Sequence, residues 1–399
     1  MIEDKNQQRH VLLICGAFTS ANFYVMLSVI RAMGNYHIHA VSANNEDKLV
    51  LPVYEDVSYY HIHNWRLSTM SWINRIPITP VSKLLDFLFS RTTALYDAFF
   101  TSKYERNIYS QSISIIENNE IESIFSVCLR FYTYRIAIKL HQKTGIKWYQ
   151  FWVDPYSNRK EGGKLWKKAA EKLECRFLDS VSHFYALPEV FVGSTIIEHY
   201  TSKLRTFEIP YLEERMVNTT TKDIIFAGAF IKKVRDPYPV LKLLLSILDL
   251  IDKDVRFHFY VKKKEEFNEF IGLSQGRIVF HDYVGHEELY RNLSNSYMLL
   301  NIGNAGSIQM PSKTVEYVSF RKPLLFFYKD KKDPSLRYLE GYPDICQINV
   351  DDDFEVNKNK LEGFLAKEHI PIAYSELMKV KAFRESTPSY IKSMLQEDL

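Results

Sequence analysis

The sequence is poor in cysteine, glycine and proline for its length. Four cysteines are scattered over 399 residues without a Cys-X-X-Cys pair, which argues against a zinc knuckle or a thioredoxin-type dithiol and fits a reducing compartment. Glycine and proline number 14 each, which favours helices and strands over a loop-rich β architecture. Apolar residues make up 46% and charged residues 25%, as in a soluble globular protein. At ~100–200 residues per domain, we expect two or three domains.

Long apolar runs and a strong charge of one sign are also missing. No run approaches the ~18 apolar residues of a membrane-spanning helix, and the first one, 11–15, is too short for the core of a signal peptide. The net charge is +3, from 51 basic and 48 acidic residues, which excludes a protein that coats nucleic acid. We therefore expect a cytoplasmic protein, soluble or peripheral on the inner face of the cell membrane, without a nucleic-acid partner.

Short apolar runs alternate with helical patterns along the chain, which predicts parallel sheets covered by helices on both faces. The predicted strands are 11–15, 37–41, 57–62, 123–128, 147–153, 182–186, 206–209, 224–229, 255–261, 277–281, 297–303, 323–328 and 345–350. The predicted helices include 90–118, 188–200, 239–252, 264–273, 312–320, 374–383 and 390–395. The fold class is therefore α/β, with two doubly wound Rossmann-like domains facing a central cleft.

The predicted domains are 1–212 and 224–370, joined by the polar run 213–223 as a linker. The break at Pro371 is followed by a new helical pattern, so we expect the tail 374–399 to return to the first domain. Ligands of such sheets bind beyond the carboxyl ends of the strands, and a cleft between two such domains is a common site for small molecules.

The run 301–317 carries the sharpest local signal. It reads Asn-Ile-Gly-Asn-Ala-Gly-Ser-Ile-Gln-Met-Pro-Ser-Lys-Thr-Val-Glu-Tyr, so that a strand ends at Gly303 and a helix begins near Ser312, the predicted cap. Free amides at a helix N-terminus favour phosphate. Lys313 adds a cation there, and Glu316 can accept bonds from a ribose diol. The same run is equally compatible with an ordinary strand–loop–helix unit.

Two further loops follow predicted strands. After the strand that ends near Gly228 come Lys232, Lys233 and Arg235; cations at this position suit a diphosphate, and arginine offers bidentate geometry. The alternative is a solvated basic turn. Asp154 directly follows another strand, where a carboxylate can bind acceptor hydroxyls or take a proton, although Asp-Pro is also a common turn.

Paired histidines and an aromatic, basic stretch are two further features of the sequence. His37 with His39, and His61 with His63, alternate along strands, which places each pair on one face; the sequence places no third ligand beside them, so we expect no zinc site. The stretch 65–104 combines aromatic and basic residues with only two acidic ones. This composition suits a membrane surface, and it equally suits a buried helical insertion with a solvated basic face.

The run 309–323 resembles the donor-site segment of bacterial GT-B glycosyltransferases, and is most similar to glycosyltransferase family 4 of capsule, O-antigen and exopolysaccharide synthesis. The other similar segments are the Gly16 loop, 154–156, 188–191 leading to 209–212, 227–228 with 235–237, and 282–289. Together they span roughly residues 10–330. The resemblance implies a nucleotide-sugar donor in the C-terminal domain and a glycan or lipid-linked glycan acceptor in the N-terminal domain.

The resemblance also implies roles for single residues. Glu316 holds the ribose, the amides near Ser312 and Lys313 hold the diphosphate, and Arg235 stabilises the leaving diphosphate without a metal. The implied catalytic residues are Arg235, Lys233 and Asp154, and the implied donor-binding residues are Gly16, Gly228, Lys232, Asn304, Gln309, Ser312, Lys313 and Glu316. No metal or other cofactor is expected, and the reaction is expected to be a hexosyl transfer with retention of configuration.

One position departs from the family. Family 4 often has two glutamates eight positions apart; Glu316 matches the second, and Ile308 stands at the first. Asn304 or Gln309 can take over the contact with the donor sugar. The alternative is a catalytically silent GT-B protein that binds glycan or nucleotide as an assembly partner. A third hypothesis is another GT-B enzyme such as a sugar-nucleotide 2-epimerase.

Overall fold

The computed structural model divides into two compact units. It describes residues 8–18, 21–44, 51, 53–63, 100–127, 131–152, 163–191, 197–231, 234–262, 264–306 and 310–399. The first unit falls within Met1–Phe207 and includes Pro388–Leu399, and the second is Glu208–Thr387. The second unit is therefore one continuous stretch of chain, whereas the first is completed by a segment that follows it.

The first unit is a parallel sheet of seven strands. They are β1 (Arg9–Cys15), β2 (Tyr36–Asn44), β3 (Val57–His63), β4 (Ile121–Val127), β5 (Lys147–Trp152), β6 (His183–Ala186) and β7 (Leu204–Thr206). Its helices are α1 (Ala21–Ala32), α2 (Lys103–Asn118), α3 (Phe131–Thr144) and α4 (Gly163–Ser180), with 3₁₀ segments at Pro188–Phe191 and Ile197–Lys203. The strand order β3-β2-β1-β4-β5-β6-β7 reverses direction beside β1, as in doubly wound folds.

The second unit is a parallel sheet of six strands in the order β10-β9-β8-β11-β12-β13. They are β8 (Asp223–Ala227), β9 (Arg256–Tyr260), β10 (Ile278–His281), β11 (Met298–Ile302), β12 (Leu324–Tyr328) and β13 (Ile345–Asn349). Its helices are α5 (Tyr238–Ile247), α6 (Asn268–Leu273), α7 (His286–Asn295), α8 (Ser312–Ser319), α9 (Pro334–Tyr338), α10 (Phe354–Leu365), α11 (Tyr374–Leu377) and α12 (Lys381–Glu385), with a 3₁₀ segment at Lys264–Phe267. The order reverses between β8 and β11, and ligands of such sheets bind beyond the carboxyl ends of the strands at this switch point.

The central strands are apolar because helices cover both of their faces. All five residues of β11 are buried, as are four of the five in β8. A strand with one solvated face would alternate instead. The same continuous pattern occurs in β1, where Val11 to Cys15 are all buried. The predicted class, α/β with two doubly wound Rossmann-like domains, is confirmed.

Several predicted helices were wrong in their bounds. Of the helix expected over 90–118, residues 90–99 lie outside the described residues, and helix α2 begins at Lys103, where the Ser102 side chain caps it by accepting from the Glu105 amide at 3.3 Å. The helix expected over 188–200 is replaced by 3₁₀ segments in the described residues there. The helix expected over 239–252 ends at Ile247, and the one expected over 374–383 is split by a turn into α11 and α12.

The polar run 213–223, which was predicted as a linker, is hydrogen bonded to the second unit. The amides of Asn218 and Thr220 donate to the carbonyls of Ser294 and Asn295, at 3.1 and 3.0 Å. Buried Lys322 donates to the Thr219 hydroxyl at 3.0 Å. Each of these partners belongs to Glu208–Thr387, so the run is fixed to that unit over much of its length.

The chain returns to the first unit as helix α13 (Pro388–Asp398). Asp398 accepts hydrogen bonds from Tyr185 at 2.8 Å and from the Arg205 guanidinium at 2.8 and 3.1 Å. Its backbone carbonyl accepts from the Tyr149 hydroxyl at 2.8 Å. The return was predicted from residue 374, whereas residues 374–387 lie within the second unit.

Candidate functional site

The candidate site lies at the carboxyl ends of β8 and β11. These strands pair in parallel, with Ile224 opposite Met298 and Ile225 opposite Leu299. Their carboxyl ends therefore lie at the same edge of the sheet. Gly228 follows β8, and Gly303 with Asn304 follows β11, so two of the predicted donor-binding residues, Gly228 and Asn304, are brought to one place. A side chain at Gly228 would crowd the Phe226 ring, whose Cζ would lie 3.2 Å from an added Cβ.

Arg235 joins the two loops. Its Nη2 donates to Asn304 Oδ1 at 2.8 Å, and its Nη1 donates to the Ala229 carbonyl at 3.3 Å. A tight turn places it there, since the Arg235 amide donates to the Ile231 carbonyl at 2.7 Å. Burial lowers the pKa of Arg235, and an arginine stays cationic all the same. Among the described residues nothing accepts from its buried Nε. The predicted Lys232 and Lys233 lie outside the described residues.

A buried carboxylate fixes the loop that carries Asn304. Asp333 Oδ2 accepts from the Asn304 amide at 2.6 Å, and Oδ1 accepts from the Ser335 amide at 2.8 Å, which caps helix α9. Burial raises the pKa of Asp333, although these hydrogen bonds and Arg235 act in the opposite direction. Asp333 was not among the predicted residues. The motif Asp-Pro-Ser does indicate its role as a helix cap, because Asp before Pro is typical of a helix start.

Helix α8 begins at Ser312, as predicted, but Ser312 is not its cap. Pro311 occupies the N-cap position, and no side chain of the described residues caps the helix. Its first amides therefore lack a side-chain acceptor there, which leaves them open to an anion. Lys313 Nζ lies 2.5 Å from Glu316 Oε2, and Glu316 is only 7% exposed.

Two side chains fix α8 onto the sheet. The Tyr317 hydroxyl accepts from the Ala227 amide at 2.6 Å and lies 3.2 Å from the Ala227 carbonyl, at the end of β8. Thr314 Oγ1 accepts from the Asn301 side-chain amide of β11 at 2.9 Å. The helix that carries Lys313 and Glu316 is thus bonded to the two strands whose ends carry the other site residues.

A group of aromatic and basic side chains surrounds Glu316. Tyr290 of α7 is hydrogen bonded to Glu316, and burial together with that carboxylate raises the Tyr290 pKa. Arg215 Nη2 donates to the Tyr290 hydroxyl at 3.3 Å, and its guanidinium carbon lies 4.1 Å from the Tyr290 ring centroid. The His286 ring centroid is 3.8 Å from that of Tyr290. Burial lowers the pKa of His286, and Glu316 opposes that change.

Of the remaining predicted site residues, only Gly16 lies in the described part of the chain. Gly16 is buried after β1, and its carbonyl accepts from the Tyr132 hydroxyl at 2.6 Å. Asp154 and Gln309 lie outside the described residues, as does Ile308, the departure from the family pattern. Most of the aromatic and basic stretch 65–104 also lies outside them.

The structure groups histidines in both sheets. His10 joins the predicted pair: its Nδ1 lies 3.1 Å from His39 Nε2, and its ring stacks at 5.3 Å. In the second unit His258 Nδ1 lies 2.8 Å from His281 Nε2. Over the described residues, no three His, Cys, Asp or Glu side chains are arranged to hold a metal ion.

Comparisons with known proteins give a fold and no close sequence relative. No family model matches the chain, and no curated protein matches it in sequence. Among solved structures, sucrose-phosphate synthase from Thermosynechococcus elongatus is similar at 8% identity with a TM-score of 0.56, covering 98% of this chain and 94% of that one. UDP-GlcNAc 2-epimerase from Methanocaldococcus jannaschii has 12% identity and a TM-score of 0.56, over 97% and 99%. The lipopolysaccharide outer core galactosyltransferase WaaB has 11% identity and a TM-score of 0.53, over 98% of each chain.

At these identities the likeness defines the architecture alone. The GT-B fold expected from the sequence is confirmed, and the assignment to family 4 stays a prediction. In the described part of the chain, no helix is both long and apolar enough to span a bilayer.

Proposed function

We propose that this chain is a glycosyltransferase that moves a hexosyl group from a nucleotide-sugar donor to a glycan or lipid-linked glycan in bacterial surface polysaccharide synthesis. The observation that carries the proposal is Arg235, a cation held by Asn304 at the edge of the sheet where α/β folds bind ligands. Glycosyltransferases on this fold, such as WaaB, support it by their structural likeness.

The donor binds through the second unit. Glu316 accepts hydrogen bonds from the ribose hydroxyls, and Tyr290 orients its carboxylate. The diphosphate lies at the start of α8, where open amides and Lys313 meet negative charge. Lys313 then exchanges its contact with Glu316 for a phosphate oxygen.

The transfer step needs a cation where charge develops. As the bond between the anomeric carbon and the diphosphate oxygen breaks, negative charge grows on the leaving group. Arg235 stabilises that charge, and a fixed cation in a water-poor site contributes more to the transition state than to the ground state. Lys232 and Lys233 add to the same field, and Asp154 binds or deprotonates the acceptor hydroxyl. No metal is needed for this step, and we propose retention of configuration.

The test is nucleotide release from a panel of UDP-, GDP- and dTDP-sugars, with and without glycan acceptors. Acceptor-dependent release from one donor is the expected result, and proton NMR of the product then gives its anomeric configuration. If no donor is consumed and one nucleotide still binds, the chain is the silent assembly partner instead.

The likeness to UDP-GlcNAc 2-epimerase favours one further candidate. An epimerase would interconvert two nucleotide-sugars without an acceptor. Incubation with the donor alone, followed by NMR of the sugar, separates the two activities, because a transferase leaves the donor's C2 configuration unchanged.

The proposed acceptor is presented at the inner face of the membrane, with 65–104 as the docking surface. The composition of that stretch is the support, since anionic lipid attracts each basic residue by only ~1 kcal/mol, so attachment should weaken as salt rises. Flotation with anionic vesicles at low and high salt tests it. A protein that stays off the vesicles at low salt would show that the stretch is only a packed insertion.

A further inference from the structure

The two carboxylate oxygens of Asp333 make two separate contacts. One oxygen caps α9 by accepting from the Ser335 amide, and the other holds the loop after β11 by accepting from the Asn304 amide at 2.6 Å. The residue is only 3% exposed. A helix cap needs one oxygen, so the second oxygen is committed to the loop.

The contact with the loop is unusually close. A Cβ added at Gly303 would lie 2.0 Å from Asp333 Oδ2, a distance that no side chain tolerates. The chain therefore has glycine at 303, and the carboxylate occupies the space that a side chain would fill. Asp333 sets how far the loop can move toward α9.

The same loop holds Arg235. Asn304 Oδ1 accepts from Arg235 Nη2 at 2.8 Å, while the adjacent Ala305 amide donates to the Val234 carbonyl at 2.7 Å. The two loops are thus bonded on both sides of the arginine, and one residue, Asn304, separates Asp333 from the guanidinium.

We propose that Asp333 is a positioning residue for the transfer step, which sets the guanidinium of Arg235 through the backbone of Asn304. The inference rests on the proposed function for its kinetic effect, and on the loop geometry alone for its structural effect. Both oxygens of Asp333 are engaged by backbone amides, so we assign it no direct contact with substrate.

Asp333→Asn separates the two tasks. An asparagine keeps one oxygen for the Ser335 amide and turns an NH₂ group toward the Asn304 amide, where two donors oppose each other. We expect kcat to fall about tenfold, the cost of a hydrogen bond to a charged group, while the KM for donor stays within a factor of about two, because only the transition-state contact is lost. Asp353→Asn is the matched control, since Asp353 caps α10 by accepting from the Val356 amide at 3.0 Å and is exposed.

A double variant tests the route. If Asp333 acts through Arg235, then Asp333→Asn should lower kcat no further in an Arg235→Ala background. An equal loss of kcat in both backgrounds, or a loss confined to the KM for donor, would overturn the inference.

A second measurement does not depend on activity. In ¹⁵N-arginine NMR, with the signal of Arg235 assigned from Arg235→Lys, Asp333→Asn should shift the Nε–H resonance of Arg235 and Asp353→Asn should not. An inactive wild-type protein would rule out the proposed function, but the spectrum would still show whether Asp333 positions Arg235. An unchanged Arg235 resonance in a folded Asp333→Asn protein would refute that positioning role.

Discussion

The two sheets place their buried polar side chains differently. In the second unit Arg235, Asn304 and Asp333 are bonded to one another beyond the carboxyl ends of the strands. In the described part of the first unit, the buried polar groups include His39 on β2 and Asp398 on the returning helix α13. The first set lies where such folds bind ligands, whereas the second bonds strand to strand and helix to sheet. Among the described residues, the polar groups compared here thus form the candidate donor site in the second unit and join elements of the fold in the first.

The histidine pairs sharpen the contrast. In the second unit Asp223 Oδ1 lies 3.2 Å from His258 Nε2 and raises the His258 pKa against the effect of burial. In the first unit burial and the neighbouring His37 and His10 all lower the pKa of His39, to about 4. His258 thus has the counter-ion Asp223 beside it, whereas His39 has the Tyr60 hydroxyl, at 3.1 Å from its Nδ1. Acid should therefore destabilise the first unit more.

The largest effect is expected from Asp398→Ala. The change leaves Arg205 and Tyr185 without their buried partner, which costs about 3 kcal/mol or more of unfolding free energy. All five tryptophans precede residue 207, so tryptophan fluorescence during urea unfolding reports on the first unit alone. Glu397→Ala removes an exposed carboxylate from the same helix and should change little. Equal midpoints for the two variants would show that the tail does not stabilise the sheet.

Arg235→Ala should have the next largest effect, which we expect on activity rather than on stability. Losing the cation that meets developing charge should lower kcat about 100-fold, with a much smaller change in the KM for donor. Glu316→Ala should instead raise that KM, because the ribose does not change during the reaction. Arg256, exposed at the amino end of β9, provides the control Arg256→Ala. Normal binding and turnover in both site variants would place the site elsewhere.

Unfolding at low pH tests the difference between His39 and the histidines of the second unit. His39 takes up its proton near pH 6.5 when unfolded and near pH 4 when folded, so the unfolded state binds more protons between these values. The unfolding free energy of the first unit should fall by up to about 1.4 kcal/mol for each pH unit between 6.5 and about 4. His39→Phe should flatten this profile, read by tryptophan fluorescence, and His63→Gln, at an exposed position, should not. A profile that His39→Phe leaves unchanged would assign the acid sensitivity to other groups.

Tyr290→Phe should have the smallest effect. The variant keeps the ring that contacts His286 and Arg215 and removes the hydroxyl, which is bonded to Glu316 and also accepts from Arg215 Nη2 at 3.3 Å. Because the contact with Arg215 is long, we expect a loss close to that of one hydrogen bond, about 1 kcal/mol, which corresponds to a KM for donor raised roughly fivefold with kcat nearly unchanged. Tyr297→Phe, on the loop before β11, is the matched loss of a hydroxyl away from Glu316. A fall in kcat in Tyr290→Phe would mean that Tyr290 acts on the reaction itself.

Much of the fold could be predicted because the strands are buried on both faces. Runs such as 297–303 and 323–328 contain little but apolar residues, and β11 and β12 lie within them. Helix ends were predicted less well. The apolar pattern continues through Leu248, Leu250 and Ile251, beyond the end of α5 at Ile247, so it carries no stop signal there.

The site could be predicted only in part. Arg235 and Asn304 are 69 residues apart in sequence, and the strand pattern alone put them near one edge. Asp333 was missed because its role depends on a close approach to Gly303, which a single sequence does not display. Tyr290 was missed because a tyrosine in an amphipathic helix looks like any other packed residue.

The return of α13 to the first unit has a consequence for the order in which the protein is made. The second unit is continuous in sequence, so all of its strands are synthesised before Asp398. The first unit begins earlier and is completed last, because helix α13 is synthesised after the whole of the second unit. Although domains generally fold as units from the N-terminus during synthesis, here the domain that starts first is the one that finishes second.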